Sequence, residues 1–389
     1  MTTTINNEHK KLNVPNLRFP EFQGEWEEHY LSDYLDFKNG LNPKPDKFGK
    51  GIKFISVMDI LNNAIITNDC IRASVDVSEE ELQNFSVENG DMLFQRSSET
   101  LEDVGRANVY MDDKPAVFGG FVIRGKKKAV YNPLFFRYLL ASPFARKKII
   151  PMGAGAQHFN IGQEGLSKVK LNFASLGEQN KIAKLMLAID ERISTQNKII
   201  DKLQSLIKGI SNKIFESLQG QECRLGDIAT ITNGNSNVQD AVTEYRDDLY
   251  PFFDRSEEIK YLPTFLFDKE AIIYPGEGAD FFPRYINGKF ALHQRCYAIF
   301  DFNKAVNPQF LYCFLKTQNS YFIRNAVGST VPSLRLDTFQ KLKVIVPSKK
   351  TQSIVSSLLF TLEKKHNSEK MLLQTLLKQK QYLLFQMFI

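Results

Sequence analysis

Residues 166–182 read LSKVKLNFASLGEQNKI, and residues 339–355 read FQKLKVIVPSKKTQSIV. The two stretches align without a gap at an offset of 173, and that offset holds as far as Phe215 against Phe388. Toward the N-terminus, Asn132-Pro-Leu-Phe-Phe-Arg-Tyr-Leu-Leu matches Asn307-Pro-Gln-Phe-Leu-Tyr-Cys-Phe-Leu at an offset of 175, and a glycine loop pairs Gly153 with Gly328. Leu31-Ser-Asp-Tyr…Asn39-Gly40 reappears as Leu225-Gly-Asp-Ile…Asn233-Gly234, now 194 residues on. The chain is a tandem duplication. Because the offset changes inside the first part of each copy, a constant frame surrounds an insert of variable length.

Each copy ends in a long helical pattern. Ile182, Leu185, Ile189, Ile193, Ile199, Ile200, Leu203, Leu206, Ile210 and Ile214 recur at spacings of mostly three and four in the first. Ile354, Leu358, Leu362, Leu373, Leu376, Leu383 and Met387 do so in the second. Such spacing with charges between is the pattern of paired, coiled-coil-like helices, each about 60 Å long at 1.5 Å per residue over roughly 40 residues. Two rods of equal length from one chain most simply pack on each other.

The segments before them mix strand and helix. Lys53-Phe-Ile-Ser-Val57, Met92-Leu-Phe94, Ala116-Val-Phe118 and Ala271-Ile-Ile-Tyr274 read as strands, with turns at Asn89-Gly90 and Pro275-Gly276. Asn132-Pro133 and Asn307-Pro308 read as helix starts, Asn as the N-cap and Pro in the first turn. The expected class is therefore α+β: two globular units in tandem over 1–175 and 218–347, each followed by a long helix, 176–217 and 348–389. Residues 216–223 are read as the linker.

The chain has 389 residues, 43% hydrophobic and 24% charged, enough for two or three globular units. Four cysteines (Cys70, Cys223, Cys296 and Cys313) show no Cys-x-x-Cys spacing, which argues against a disulfide framework or zinc ribbon. No apolar run approaches the ~18 residues that span a bilayer, and Met1–Lys11 lacks an apolar leader core. A cytoplasmic protein without membrane contact is expected. The net charge of +6 conceals an alternation. Residues 59–113 carry −10, 124–170 carry +9, 236–301 carry −5 and 302–347 carry +5. Two basic patches of this kind suit nucleic acid, with solvated lysine faces as the alternative.

Catalytic signatures are missing. There is no Pro-Pro dipeptide for an adenine-methylating Asn-Pro-Pro-Tyr/Phe motif, no P-loop, and no histidine pair at i, i+4 for zinc. The chain reads as a reader or scaffold with no catalytic residue and no metal site. What remains are polar, basic and aromatic residues in and around the inserts. In the first copy these are Arg96, Ser97, Ser98 and Arg106, with Gln157 and His158 in the glycine loop. In the second they are Tyr274, Glu277, Arg284, Tyr285, His293, Gln294 and Arg295, with Thr330 in the matching loop. Arg presents a bidentate fork to guanine, Gln to adenine, and Glu accepts from cytosine, while Ser and Thr beside glycine approach phosphates. The two glycine loops read either as helix C-caps or as phosphate grips. The inserts 40–131 and 235–306 are expected to choose the sequence read, with Arg96, Arg106, Arg284 and Arg295 leading, while the basic flanks supply phosphate affinity.

These features resemble the specificity subunit of type I restriction–modification systems across essentially the whole chain. The resemblance is carried by Val14-Pro-Asn-Leu-Arg-Phe-Pro-Glu-Phe-Gln-Gly-Glu-Trp-Glu27, Gly328-Ser-Thr-Val-Pro-Ser-Leu334, Leu342-Lys-Val-Ile-Val-Pro347 and Leu176-Gly-Glu-Gln-Asn-Lys-Ile-Ala-Lys184. The first is similar to staphylococcal members. Thr351-Gln352 departs from the pattern, standing where Glu-Gln is usual. The resemblance implies two target-recognition domains, each reading half of a split duplex DNA sequence. It also implies two antiparallel helices that set the unread spacer, and docking of two methyltransferase subunits and of restriction–translocase subunits. No cofactor is implied on this chain itself; the complex is expected to use S-adenosylmethionine, ATP and Mg. The competing reading is a coiled-coil adaptor that binds proteins and no specific DNA.

Overall fold

The computed structural model describes residues 12–389, so the Met1–Lys11 stretch lies outside the described residues. The chain forms two compact units, one made of the N-terminal part through Asn197 plus Leu372–Ile389, the other of Lys198–Met371.

In the first unit, β1 (Glu27–Tyr30) pairs antiparallel with β8 (Lys170–Phe173). Strands β2 (Leu35–Asn39), β7 (Val122–Lys127), β4 (Met92–Gln95) and β5 (Ala107–Val109) form an antiparallel sheet in that spatial order. Beside it, β3 (Phe48–Ile55) and β6 (Ala116–Phe118) run parallel, flanked by Ser74–Val75 and Ser86–Val87. Helix α1 (Pro133–Ala141) follows, and α2 (Leu176–Ser217) runs for 42 residues. The core joins Trp26, Phe135, Phe136 and Leu139 to Ile182, Met186 and Ile189 of α2 and to Met387 and Phe388 at the chain's end.

The second unit repeats the frame. Strand β9 (Gln221–Arg224) leads, followed by β10 (Thr230–Asn233), β11 (Tyr250–Phe253) and β12 (Lys260–Leu262). The long hairpin β13 (Phe267–Pro275) and β14 (Arg284–Leu292) precedes β15 (Cys296–Phe300). Helix α3 (Pro308–Lys316), β16 (Lys343–Val346) and the 38-residue α4 (Lys349–Gln386) complete it. One six-stranded sheet runs β10-β15-β13-β14-β11-β12, and β9 pairs with β16. The registers coincide with those of the first unit: Asn39 faces Ile123 as Asn233 faces Tyr297, and Gln95 faces Val122 as Pro275 faces Cys296. Gly40 and Gly234 sit where a Cβ would collide with a main-chain carbonyl of the facing turn, so both copies need glycine there. The single strand β14 corresponds to β5 and β6, which Met111–Pro115 separates. Pro115 cannot donate to a ladder, and Asp112 accepts from the Asn68 and Lys114 amides, turning the chain out.

Three details of the repeat are corrected. The linker is Leu218–Gly220 and not 216–223, because helix persists to Ser217 and β9 starts at Gln221. Gly328 matches Gly155 rather than Gly153: the bridges Ala154–Asn160 and Val327–Ser333 are 173 residues apart, and of these three glycines Gly155 and Gly328 have positive φ, +144° and +103°, whereas Gly153 does not. The cap reading holds for Gly153, whose amide donates to Ile150 as it ends the short 3-10 helix, and fails for Gly328. Gly153 is extended after a short 3-10 turn, and Ala326 ends the helix before Gly328.

Asn132 and Asn307 do cap α1 and α3, each side-chain oxygen accepting the Phe135 and Phe310 amides at 2.9 and 3.2 Å. Behind each cap lies a buried glutamine. Gln179 Oε1 accepts from the Asn132 amide at 2.9 Å while its Nε2 donates to the Ala174 carbonyl. Gln352 does the same for Asn307, at 2.7 Å, and for Pro347. The long helices run antiparallel: in the first unit Asp190 pairs with Lys380 and Met186 shares a core with Leu383, and in the second Ile214 and Phe215 pack with Val355 and Leu359. Glu178, the residue equivalent to Thr351, is fully buried. It accepts two bonds from Arg18 at 2.8 Å and one from Trp26 Nε1 at 3.2 Å, fastening the lead segment. The second copy is entered by a three-residue linker with no such lead, and Thr351 suffices there.

Candidate nucleic-acid interface

In each unit, three chain segments meet beyond the ends of the parallel strand pair. In the first these are Arg96–Ser98 after β4, the β6–β7 turn Gly119–Phe121, and the glycine loop up to Asn160. The Gly119 amide donates to Ile55 at 3.0 Å, and the Arg96 amide donates to Phe121 at 2.9 Å. Ser97–Ser98 pair with Phe159–Asn160, and the Ser97 hydroxyl bonds Asn160 Oδ1. In the second unit the segments are Gly276–Gly278, the β14–β15 turn His293–Arg295 and the Val327–Ser333 loop. The His293 amide donates to Phe253 at 2.9 Å, and Glu277 bridges Ser333.

A cleft opens at this place in both units, and its chemistry differs. The first, of about 500 Å³, is lined by Leu41, Pro43, Phe48, Phe54, Met58 and Phe121 among others. The second, of about 530 Å³, is lined by Asp254, Arg255, Lys260, Glu277, His293 and Arg295 among others. Buried Asp254 accepts from Lys260 Nζ at 2.7 Å and from the Ser256 amide at 2.8 Å. Burial pushes its carboxyl up, but the Lys260 and Ser256 hydrogen bonds together outweigh this and hold it below the usual value. Burial lowers the His293 imidazole, leaving it neutral at pH 7, and its Nδ1 accepts from the Arg295 amide at 3.2 Å.

The residues expected at the interface divide into three groups. His293, Gln294, Arg295 and Glu277 line the second cleft, with Arg295 Nη1 2.7 Å from Glu277 Oε1. Ser97 lines the first cleft, with Ser98 beside it in the same short strand, while Arg96 Nη1 donates to the Gly120 carbonyl at 3.2 Å and thereby shapes the turn. Gln157, His158 and Thr330 are exposed on the loops, and Arg106 is exposed but paired to Asp103 at 2.6 Å. The third group belongs to the framework. Tyr274 is fully buried, its hydroxyl donating to Leu315 at 2.9 Å. The Arg284 guanidinium lies over the Phe253 ring and donates to the Asp254 and Ser256 carbonyls, holding the cleft wall from behind. Tyr285 bonds Glu270 and packs near Tyr312, away from the cleft. Alternation along β13 and β14 sends Tyr274 and Tyr285 to the helix-covered face.

The basic flank differs from expectation as well. Of its ten cations, Lys126, Lys128, Arg137, Lys148, Lys168 and Lys170 form ion pairs with Glu88, Asp36, Asp190, Glu28, Glu164 and Glu28. Arg124 and Arg146 donate to main-chain carbonyls. Much of the +9 is therefore matched by acids of the same unit, which no linear count reveals. Phe121, Met58 and Arg255 were missed. Phe121 and Met58 look like core residues in sequence and are 66% and 60% exposed; only the repeat register makes Phe121 the equivalent of Arg295.

Among the described residues no cluster of three or more His, Cys, Asp or Glu is placed to hold a metal, and no helix is long and apolar enough to cross a membrane.

The model of the type I restriction modification DNA specificity domain matches residues 23–205 and 220–378. A putative type I restriction enzyme specificity subunit, MjaX, of Methanocaldococcus jannaschii is 27% identical over 213 residues, 53% of this chain and 49% of that protein. The EcoDI specificity subunit of Escherichia coli is 30% identical over 138 residues, 36% of this chain and 30% of its own length. The alignments thus span about half or less of the curated relatives. The crystal structure of the type I restriction–modification S subunit from M. genitalium shares the fold, with a TM-score of 0.63 and 18% identity over 97% of this chain and 99% of that one. A structure from a study of assembly of the type I system gives 0.58 at 12% identity over 92% and 96%.

Proposed function

Because this chain belongs to the type I restriction modification DNA specificity family, we propose that it is the non-catalytic, DNA-reading subunit of a cytoplasmic type I restriction–modification complex. The observation that supports this most is the pair of equivalent clefts, built from the same three segments on the same strand frame but lined by different side chains. One scaffold with two sets of lining residues is what a split, asymmetric duplex target requires. The recognition domains are 1–175 and 218–347, and the helices set the unread spacer. Exposed Ile354 and Leu358 in the second unit, and Tyr382 and Phe385 in the first, offer apolar surface to two methyltransferase subunits. Restriction–translocase subunits join through them. S-adenosylmethionine, ATP and Mg would be held by those partners.

The test uses the complex assembled with its methylating subunits. It should bind one bipartite duplex with an affinity falling linearly in log salt, by a slope of about −0.9 per phosphate contacted. Exchanging residues 235–306 for those of another family member should alter one half of the methylated motif only. Inserting four residues within 190–205 should alter the spacer and neither half. Salt-independent function without specific duplex binding would favour the protein adaptor instead.

A further inference from the structure

Phe121 and Arg295 occupy the same position in the two units. Each is the last residue of the turn leading into the strand that pairs with β4 or β13. The turn's first residue is tied to the neighbouring parallel strand in both, Gly119 to Ile55 and His293 to Phe253. Each side chain stands out, Phe121 66% exposed and Arg295 63%. Neither is explained by folding, since Phe121 leaves most of its ring in water and Arg295 pairs only at the surface. Phe121 is not isolated: exposed Met58 and Phe48 share its cleft, making a contiguous apolar patch. Lys44 sits on the Pro43–Phe48 segment that forms one lip, while Lys47 on the same segment is paired with Asp76 at 3.5 Å. Arg295 is preorganised. Glu277, only 17% exposed, holds one nitrogen at 2.7 Å, while the rest of the Arg295 side chain is largely exposed where it lines the second cleft.

Resting on the reading that each unit takes one half-site, we propose that this turn position selects a base in both halves. Arg295 reads a guanine through its O6 and N7 acceptors, and Phe121 reads the C5-methyl group of a thymine. The two half-sites are thus discriminated by different chemistry, a charged fork in one and apolar contact in the other. Glu277 acts as a positioning residue: it fixes the plane of the guanidinium without touching DNA.

The experiment uses the complex assembled with its methylating subunits, reading the methylated motif by single-molecule sequencing and duplex affinity with base analogues. Arg295→Ala should relax one G·C position of one half-site, with discrimination there falling roughly tenfold, and leave the other half intact. Arg295→Lys should not restore it, since an ammonium lacks the planar fork. Glu277→Gln should weaken the same position less. Phe121→Ala should relax one A·T position of the opposite half. Deoxyuridine in place of that thymine should weaken wild-type binding about fourfold, from the lost methyl, and leave Phe121→Ala unaffected. 7-Deazaguanine should behave likewise against Arg295→Ala. An unchanged motif in both variants, or a loss of affinity uniform over all sequences, overturns the proposal. A wild-type complex with no bipartite motif sinks the functional reading itself, so the two failures are distinguishable.

Discussion

Glu178→Ala should release the lead segment from the first unit. The carboxylate is fully buried and accepts three hydrogen bonds, two from Arg18 and one from Trp26. Removing one member of a buried ion pair costs about 3–5 kcal/mol, because its partner's charge stays behind unmatched. Arg18 is 13% exposed and keeps bonds to the Gly24 and Gln23 carbonyls, which places the expected loss near the lower figure, about 3 kcal/mol. That is a factor of roughly 150 in the local opening equilibrium. Trp26 is the only tryptophan in the chain and is 2% exposed, so its emission reports this one site. With a urea dependence of about 1–3 kcal/mol/M, the Trp26 transition should move down by about 1–3 M. Replacing both partners by apolar residues, Arg18→Met with Glu178→Leu, should recover most of the loss. Thr351→Ala, at the equivalent position, should change stability by no more than about 0.5 kcal/mol. A Glu178→Ala protein whose Trp26 emission and midpoint match wild type would refute the fastening role.

Gln179→Ala and Gln352→Ala should each cost about 2–3 kcal/mol, since each strands a buried amide and a carbonyl; amide exchange at Asn132 and Asn307 reads this directly. Tyr274→Phe should lose about 1 kcal/mol in denaturant unfolding and leave the methylated motif unchanged, as expected for a core hydroxyl bonded to Leu315. The Asp254 carboxyl titrates below its unfolded value, near 3.9, so its contribution is present above about pH 4 and lost as pH falls through the depressed folded value. Acid unfolding of the second unit should therefore be shallower in Asp254→Asn, and an identical acid transition would remove Asp254 from the account.

The frame was legible because it repeats. Cap, strand and helix signals that are weak alone recur at fixed offsets, and Asn132 with Asn307, or Gln179 with Gln352, can be matched by eye. The recognition surface was half legible. Glu277 and His293–Arg295 stand out as polar residues beside turns and do line a cleft. Tyr274 and Arg284 share that composition but point inward or lie behind the wall, because facing depends on strand register, which a list of residue types does not contain. Phe121 had the opposite fate: an aromatic next to Val122 reads as core, yet the turn lifts it into solvent.

By itself the sequence determined the duplication, the α+β class, the two long helices and the family, since each rests on periodicity or order along the chain. Only the tertiary structure decided which charges remain free. The basic flank looks like a phosphate patch until Glu28, Asp36 and Glu88 are brought against it. Likewise, only the fold sets Phe121 and Arg295 at one structural position, because their offset of 174 lies in the region where insert lengths differ. Coulomb pairing and side-chain facing depend on distance in space, and the chain's own order fixes neither.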